Sequence, residues 1–159
     1  MNNKLLKCLF NYDFYMTTFD KLHEDLFTVH DKTIYKLIKY SHEKYKHNLD
    51  VDIVRKIYDL KYPASTTANT RAFAIALDDV QQADAIPDNL AHDIIIDAYK
   101  KRVAQKLSEA AMDVWNGDVD NFSHIRKIFH ESVENAQEIP TNYEEVEFDL
   151  QTFLDNSST

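Results

Sequence analysis

The chain has 159 residues with one Gly, three Pro, one Cys and a net charge of −9. So few Gly and Pro exclude a β-sandwich or barrel built on many tight turns, and a hydrophobic fraction of 44% is enough for a core, which excludes disorder by composition. The acidic charge argues against strong duplex-DNA binding by this chain alone, because phosphate contacts need clustered Lys and Arg.

The opening, MNNKLLKCLFNYDF, has a short apolar run and no small-residue cleavage site, so it reads as helix rather than signal peptide. Leu5, Leu6, Leu9 and Phe10 give that helix an apolar face, with Cys8 among them as a buried small hydrophobe. A lone cysteine excludes an internal disulfide and fits a reducing, cytoplasmic setting. Asn11 or Asp13 starts a second helix carrying Phe14, Tyr15, Phe19 and Leu22. This segment has more aromatics than a small helical core needs, which marks Tyr12, Tyr15 and Phe19 as a candidate partner surface; the alternative is that all three are core.

Next, EDLFTVHDKTIYKLIKYSHEKY offers the apolar positions Leu26, Phe27, Ile34, Leu37, Ile38 and Tyr45, and from Ile34 on the spacing of three, four and seven marks one helical face. Asp50 caps the following helix, whose expected stripe is Ile53, Val54, Ile57 and Leu60. KYPASTTANT is a loop, and Asn69 or Thr70 is expected to cap RAFAIALDDVQQA. DAIPDNL breaks that helix, with Pro87 in the first turn of the next.

That next helix is expected to run from Asp88 to Trp115, roughly 40 Å at 1.5 Å per residue. Ile96, Tyr99, Val103, Leu107, Ala110, Ala111 and Val114 step by three and four along it, a narrow seam of coiled-coil type. Trp115 either covers the end of the helix or anchors an interface. Asn116-Gly117 ends the helix, and Asp118 or Asp120 starts a return helix with Phe122, Ile125, Ile128, Phe129 and Val133 on its apolar face. The fold expected is all-α: a helical head over residues 1–86, a long antiparallel hairpin over 87–139, and an acidic tail over 140–159 with one short amphipathic turn at Phe148–Leu154. A two-helix seam without its own core wants a second hairpin, so self-association is expected through the seam together with Trp115, Phe122, Ile125 and Phe129.

Catalytic signals fail on geometry or composition. His42 and His47 are five apart, about 140° around a helix, whereas a zinc-protease pair needs four; the segment Ser41–His47 reads as a solvated polar face. His30-Asp31 and His92-Asp93 raise a metal phosphohydrolase of the HD type as a remote alternative. One glycine cannot build a phosphate loop, so this chain alone is expected to hydrolyse no ATP and to need no cofactor or metal. No run of apolar residues approaches the ~20 of a membrane span.

Three stretches resemble the N-terminal domain of DnaB-type hexameric replicative DNA helicases, in particular divergent phage versions. Asp25 to Ile38, DLFTVHDKTIYKLI, is similar to the family's Asp-Phe-Tyr segment and Ile-Phe helix. Asn48 to Tyr58, NLDVDIVRKIY, resembles the helix that follows. Ala98 to Asp118 and Phe122 to Ser132 resemble the long hairpin, with Arg102 at the family's basic position. The resemblance implies a non-catalytic assembly domain whose hairpins pair into dimers, within a hexamer in a full-length parent, and which docks primase or a helicase loader. It also implies that the acidic tail leads toward an ATPase domain outside this chain. The competing expectation is a free-standing helical adaptor or inhibitor of phage type that acts by binding a protein partner.

Overall fold

The computed structural model describes the backbone of residues 1–137 and the side chains of residues 1–132. The described residues are all-α, with seven helices, short 3-10 turns and no strand. Two compact units make up the chain, Met1–Ala98 and Tyr99–Thr159.

In the first unit α1 (Asn2–Leu9), α2 (Tyr12–Thr18), α3 (Val29–Tyr45), α4 (Val51–Lys61) and α5 (Thr67–Gln82) enclose one core. Leu5, Leu6 and Leu9 of α1 meet Ile34, Leu37 and Ile38 of α3, Val54 of α4, and Leu77 and Val80 of α5. The long α6 (Asp88–Trp115) contributes Ala91 and Ile95 of its first turns to the same core. α6 keeps the bounds that the sequence suggests, starting just after Pro87, whose carbonyl accepts the Ala91 N–H at 3.0 Å.

Caps set the helix starts. The Asn11 side chain accepts the Phe14 N–H at 2.9 Å and the Asp50 carboxylate accepts the Ile53 N–H at 2.8 Å, each satisfying a donor that the helix itself leaves free. The start of α5 differs from expectation. Its cap is Thr66, whose hydroxyl accepts the Asn69 N–H at 3.2 Å, not Asn69 or Thr70. Thr67 to Arg71 are all exposed, so no apolar periodicity marks this first turn, and the pattern begins only at Phe73.

The stripe on α4 also differs. Val51, Val54, Ile57 and Tyr58 are buried, Ile53 is half-buried, and Leu60 is 76% exposed. Each step of three residues falls about 60° short of a full turn, so three such steps from Val51 carry Leu60 to the opposite side of the helix. Tyr45, expected on the buried face of α3, is exposed in its last turn.

In the second unit α6 ends at Trp115 in a Schellman turn. Gly117 has φ of +116°, the Gly117 N–H bonds the Val114 carbonyl at 3.1 Å, and the Asp118 N–H bonds the Asp113 carbonyl at 3.0 Å. A 3-10 turn, Val119–Asn121, leads into α7 (Phe122–Gln137). The side chain of Val133, the tail 140–159 and the turn expected at Phe148–Leu154 lie outside the described residues.

The burial difference along α4 gives a direct check. Ile57→Ala is expected to lower unfolding free energy by about 2–5 kcal/mol, and Leu60→Ala by no more than about 0.5 kcal/mol, both read from denaturant titrations. A larger loss at Leu60 would contradict this placement of α4.

Candidate interaction surfaces

On the part of α6 in the second unit, Ala110 is buried, while Tyr99, Val103, Leu107 and Val114 are half-buried. Their spacing of four, four, three and four keeps them on one stripe. Ala111, expected in the seam beside Ala110, is exposed, since one residue further turns the side chain about 100° away. Ile96 is half-buried and belongs to the first unit. On α7, Ile128 is buried, and Ile125 and Phe129 are half-buried.

The two helices meet around Ala110 and Ile128. Lys106, Glu109 and Asp113 of α6 and His124, Lys127 and Glu131 of α7 border a groove of about 270 Å3 there. The Asn121 side-chain amide donates to the Ala110 carbonyl and to the Asp113 carboxylate, each at 3.4 Å, tying the connecting turn to α6.

Trp115 and Phe122 stand apart from that contact. Trp115 is 84% exposed and Phe122 67%, and Met112 and Val119 near them are exposed as well. Four large apolar side chains thus reach solvent within residues 112–122. Sequence reasoning missed Met112 and Val119. Met112 lies three residues before Trp115 and shares its side of the helix, a signal that was available.

The aromatic segment of the first unit divides in two. Phe19 is 47% exposed, Met16 is exposed, and Tyr12 is half-buried. Tyr15, expected with Tyr12 and Phe19 on a partner surface, is instead core, because its ring stacks on His42 with centroids 4.6 Å apart and planes at 27°.

His42 corrects a second expectation. The segment Ser41–His47 is not one solvated face: Ser41 is buried and His42 is 1% exposed, while Glu43 to His47 are exposed. The stripe that holds Ile34, Tyr35 and Ile38 reaches Ser41 and His42 at the next helical turn. Lys46 then stops α3 in the left-handed conformation, φ +52°, and leaves His47 beyond the helix. The His42 Nε2–H donates to the Leu9 carbonyl at 2.6 Å. Nearby, the Asn48 side chain accepts the Tyr12 N–H and the Leu49 N–H bonds the Phe10 carbonyl, both at 2.9 Å. These bonds fasten the α1–α2 corner to the end of α3. The His42 Nδ1 finds no partner among the described residues.

No three His, Cys, Asp or Glu side chains converge into a metal-binding group among the described residues; His30 is exposed and His92 half-buried. Nor, among the described residues, is any helix long and apolar enough to cross a membrane. Cys8 is half-buried, its thiol 4.0 Å from the Ile86 carbonyl and pushed up in pKa chiefly by burial. Compared with protein-family models, curated proteins and solved structures, the chain matches none.

Burial holds the His42 pKa below the ordinary histidine value, against the opposing pull of the Leu9 carbonyl. Unfolded His42, with a pKa of about 6.5, therefore binds its proton more readily than folded His42, and stability falls as pH drops below about 6.5. His42→Gln is expected to lose stability at pH 7 and to show a flatter decline between about pH 7 and 5, followed by thermal melts in matched buffers. Parallel declines for the two proteins would contradict a neutral, buried His42.

Proposed function

We propose that this chain is a non-catalytic assembly domain of a DnaB-type replicative DNA helicase, which self-associates through its second unit and docks a primase or helicase loader. The observation that carries the self-association is the exposure of Met112, Trp115, Val119 and Phe122, four large apolar side chains within eleven residues around the α6–α7 turn. Soluble chains generally cover such patches, and a second copy is the commonest cover. Charge supports a second copy. Lys100, Lys101 and Lys106 lie toward the start of the unit, and Asp113, Asp118 and Asp120 around its turn. Two copies in antiparallel register would set acid against base at both ends.

The helicase assignment is supported by the sequence stretches Asp25–Ile38, Asn48–Tyr58 and Ala98–Ser132, together with the 28-residue length of α6. A second reading, a free-standing adaptor or inhibitor, is favoured by the net charge of −9 and by Met16 and Phe19, which are exposed on the first unit. Both readings act by protein binding, and they differ in whether the second unit pairs with itself.

Analytical ultracentrifugation separates them. The wild type is expected to sediment as a dimer or larger at micromolar concentration. Trp115→Glu, at a position too exposed to unfold the chain, is expected to raise the dissociation constant about tenfold or more. A wild type that stays monomeric across the micromolar range would overturn the assembly reading.

A further inference from the structure

The groups that cover His42 come from the α1–α2 corner. The Leu9 carbonyl accepts from Nε2, the Tyr15 ring stacks on the imidazole, and the Tyr12 ring lies 5.5 Å from it at 51°. The second ring nitrogen, Nδ1, is buried without a hydrogen-bond partner among the described residues. A neutral imidazole tolerates this, because Nδ1 then carries only a lone pair. An imidazolium does not, because both nitrogens donate and a buried charge needs a counter-charge.

No counter-charge is at hand. Among the described residues His42 makes no ion pair with a carboxylate. On α2 the titratable groups against the ring are the Tyr12 and Tyr15 phenols, and Asp13 is exposed. Burial, then Tyr35 and Glu43, hold the Tyr15 phenol protonated far above the ordinary tyrosine range. On α3 Glu43 and Lys44 are exposed, as are Lys46 and His47 beyond it, and the His47 Nδ1 is bonded to the Asn48 carbonyl at 2.7 Å. Lys7 of α1 is engaged with the Gln81 and Ala83 carbonyls, and Asp50 with the cap of α4. Burial disfavours the charged ring more strongly than the Leu9 and His47 carbonyls favour it.

One element can yield to admit water. α2 has seven residues, too few for a stable helix by itself, and buries only Phe14, Tyr15 and Thr18. Beside those contacts, the Tyr12 N–H bond to the Asn48 side chain ties its start to the end of α3. The central core of α1, α3, α4 and α5 does not need α2 to move with it, since Leu6, Leu9, Ile34, Ile38, Val54 and Leu77 are packed together there.

We propose that His42 is a proton-operated latch on α2: when the imidazole takes up a proton, α2 lifts from the end of α3, and Phe14 and Tyr15 join Met16 and Phe19 in solvent. In the opened form the ring meets water and titrates near the ordinary histidine value of about 6.5. The opened form then binds the proton more readily than the closed one, so opening rises as pH falls through about 6.5. It is a local opening, reached before the core unfolds. All the groups involved lie in the first unit, so the latch is independent of self-association.

The test is amide hydrogen exchange of the full chain from about pH 7.5 to 5, each rate divided by the intrinsic rate at that pH, with an NMR titration of the His42 ring alongside. Opening at Tyr15, Met16 and Thr18 is expected to rise about five- to thirtyfold, the ceiling being set by an open-form pKa of about 6.5. At every pH it is expected to stay at least about tenfold more frequent than opening at Ile38 and Leu77. The His42 ring is expected to titrate together with α2 opening, and His42→Gln to abolish the rise. Opening of α2 that is flat with pH, that matches Ile38 and Leu77 throughout, or that keeps its pH dependence in His42→Gln would overturn the latch. So would a His42 ring that protonates while α2 stays closed. Should His42→Gln fail to fold, the wild-type readings decide alone.

Discussion

Among its described residues, the second unit buries little of the apolar surface it carries. Among its described side chains only Ala110 and Ile128 are fully buried, and an alanine and an isoleucine cover little area. Most helical stability in proteins comes from tertiary packing of an apolar face rather than from propensity. Trp115, Phe122, Val119 and Met112 meanwhile remain in solvent. At about 25 cal/mol per Å2 of apolar surface, covering even part of such a cluster outweighs the gain from any exposed ion pair on the same helices. That exposed apolar surface is what supports the proposed pairing of the unit with a second copy.

The first unit buries most of its large apolar residues within itself. Its helices enclose a continuous core from Leu5 to Ile95, and its connections are tied by specific bonds rather than by packing alone. The bond from His42 to the Leu9 carbonyl spans 33 residues and fixes how the α1–α2 corner meets the end of α3. Because Tyr15 stacks on the same imidazole, the aromatic segment that looked like a surface from the sequence is split between core and solvent.

Elements with a local chemical signature were legible. Asn11 and Asp50 cap because a short polar side chain precedes an apolar period, and α6 keeps its expected bounds because Pro87 and Asn116-Gly117 bracket it. What could not be read depended on angle and on distant neighbours. Leu60 followed the spacing of three but rotated out of the stripe, and Thr66 began α5 well before its first buried residue, Phe73. His42 looked polar because its partner, the Leu9 carbonyl, is far away in sequence. At the candidate site, Trp115 and Phe122 were legible as large apolar residues beside a turn.

Amide hydrogen exchange at several protein concentrations reads out whether the second unit pairs with a second copy, as proposed. Protection across residues 99–132 should rise as concentration increases through the dimer dissociation constant, while protection around Ile38 and Leu77 of the first unit stays constant. Protection across 99–132 that is independent of concentration, with a monomer present throughout, would contradict that pairing.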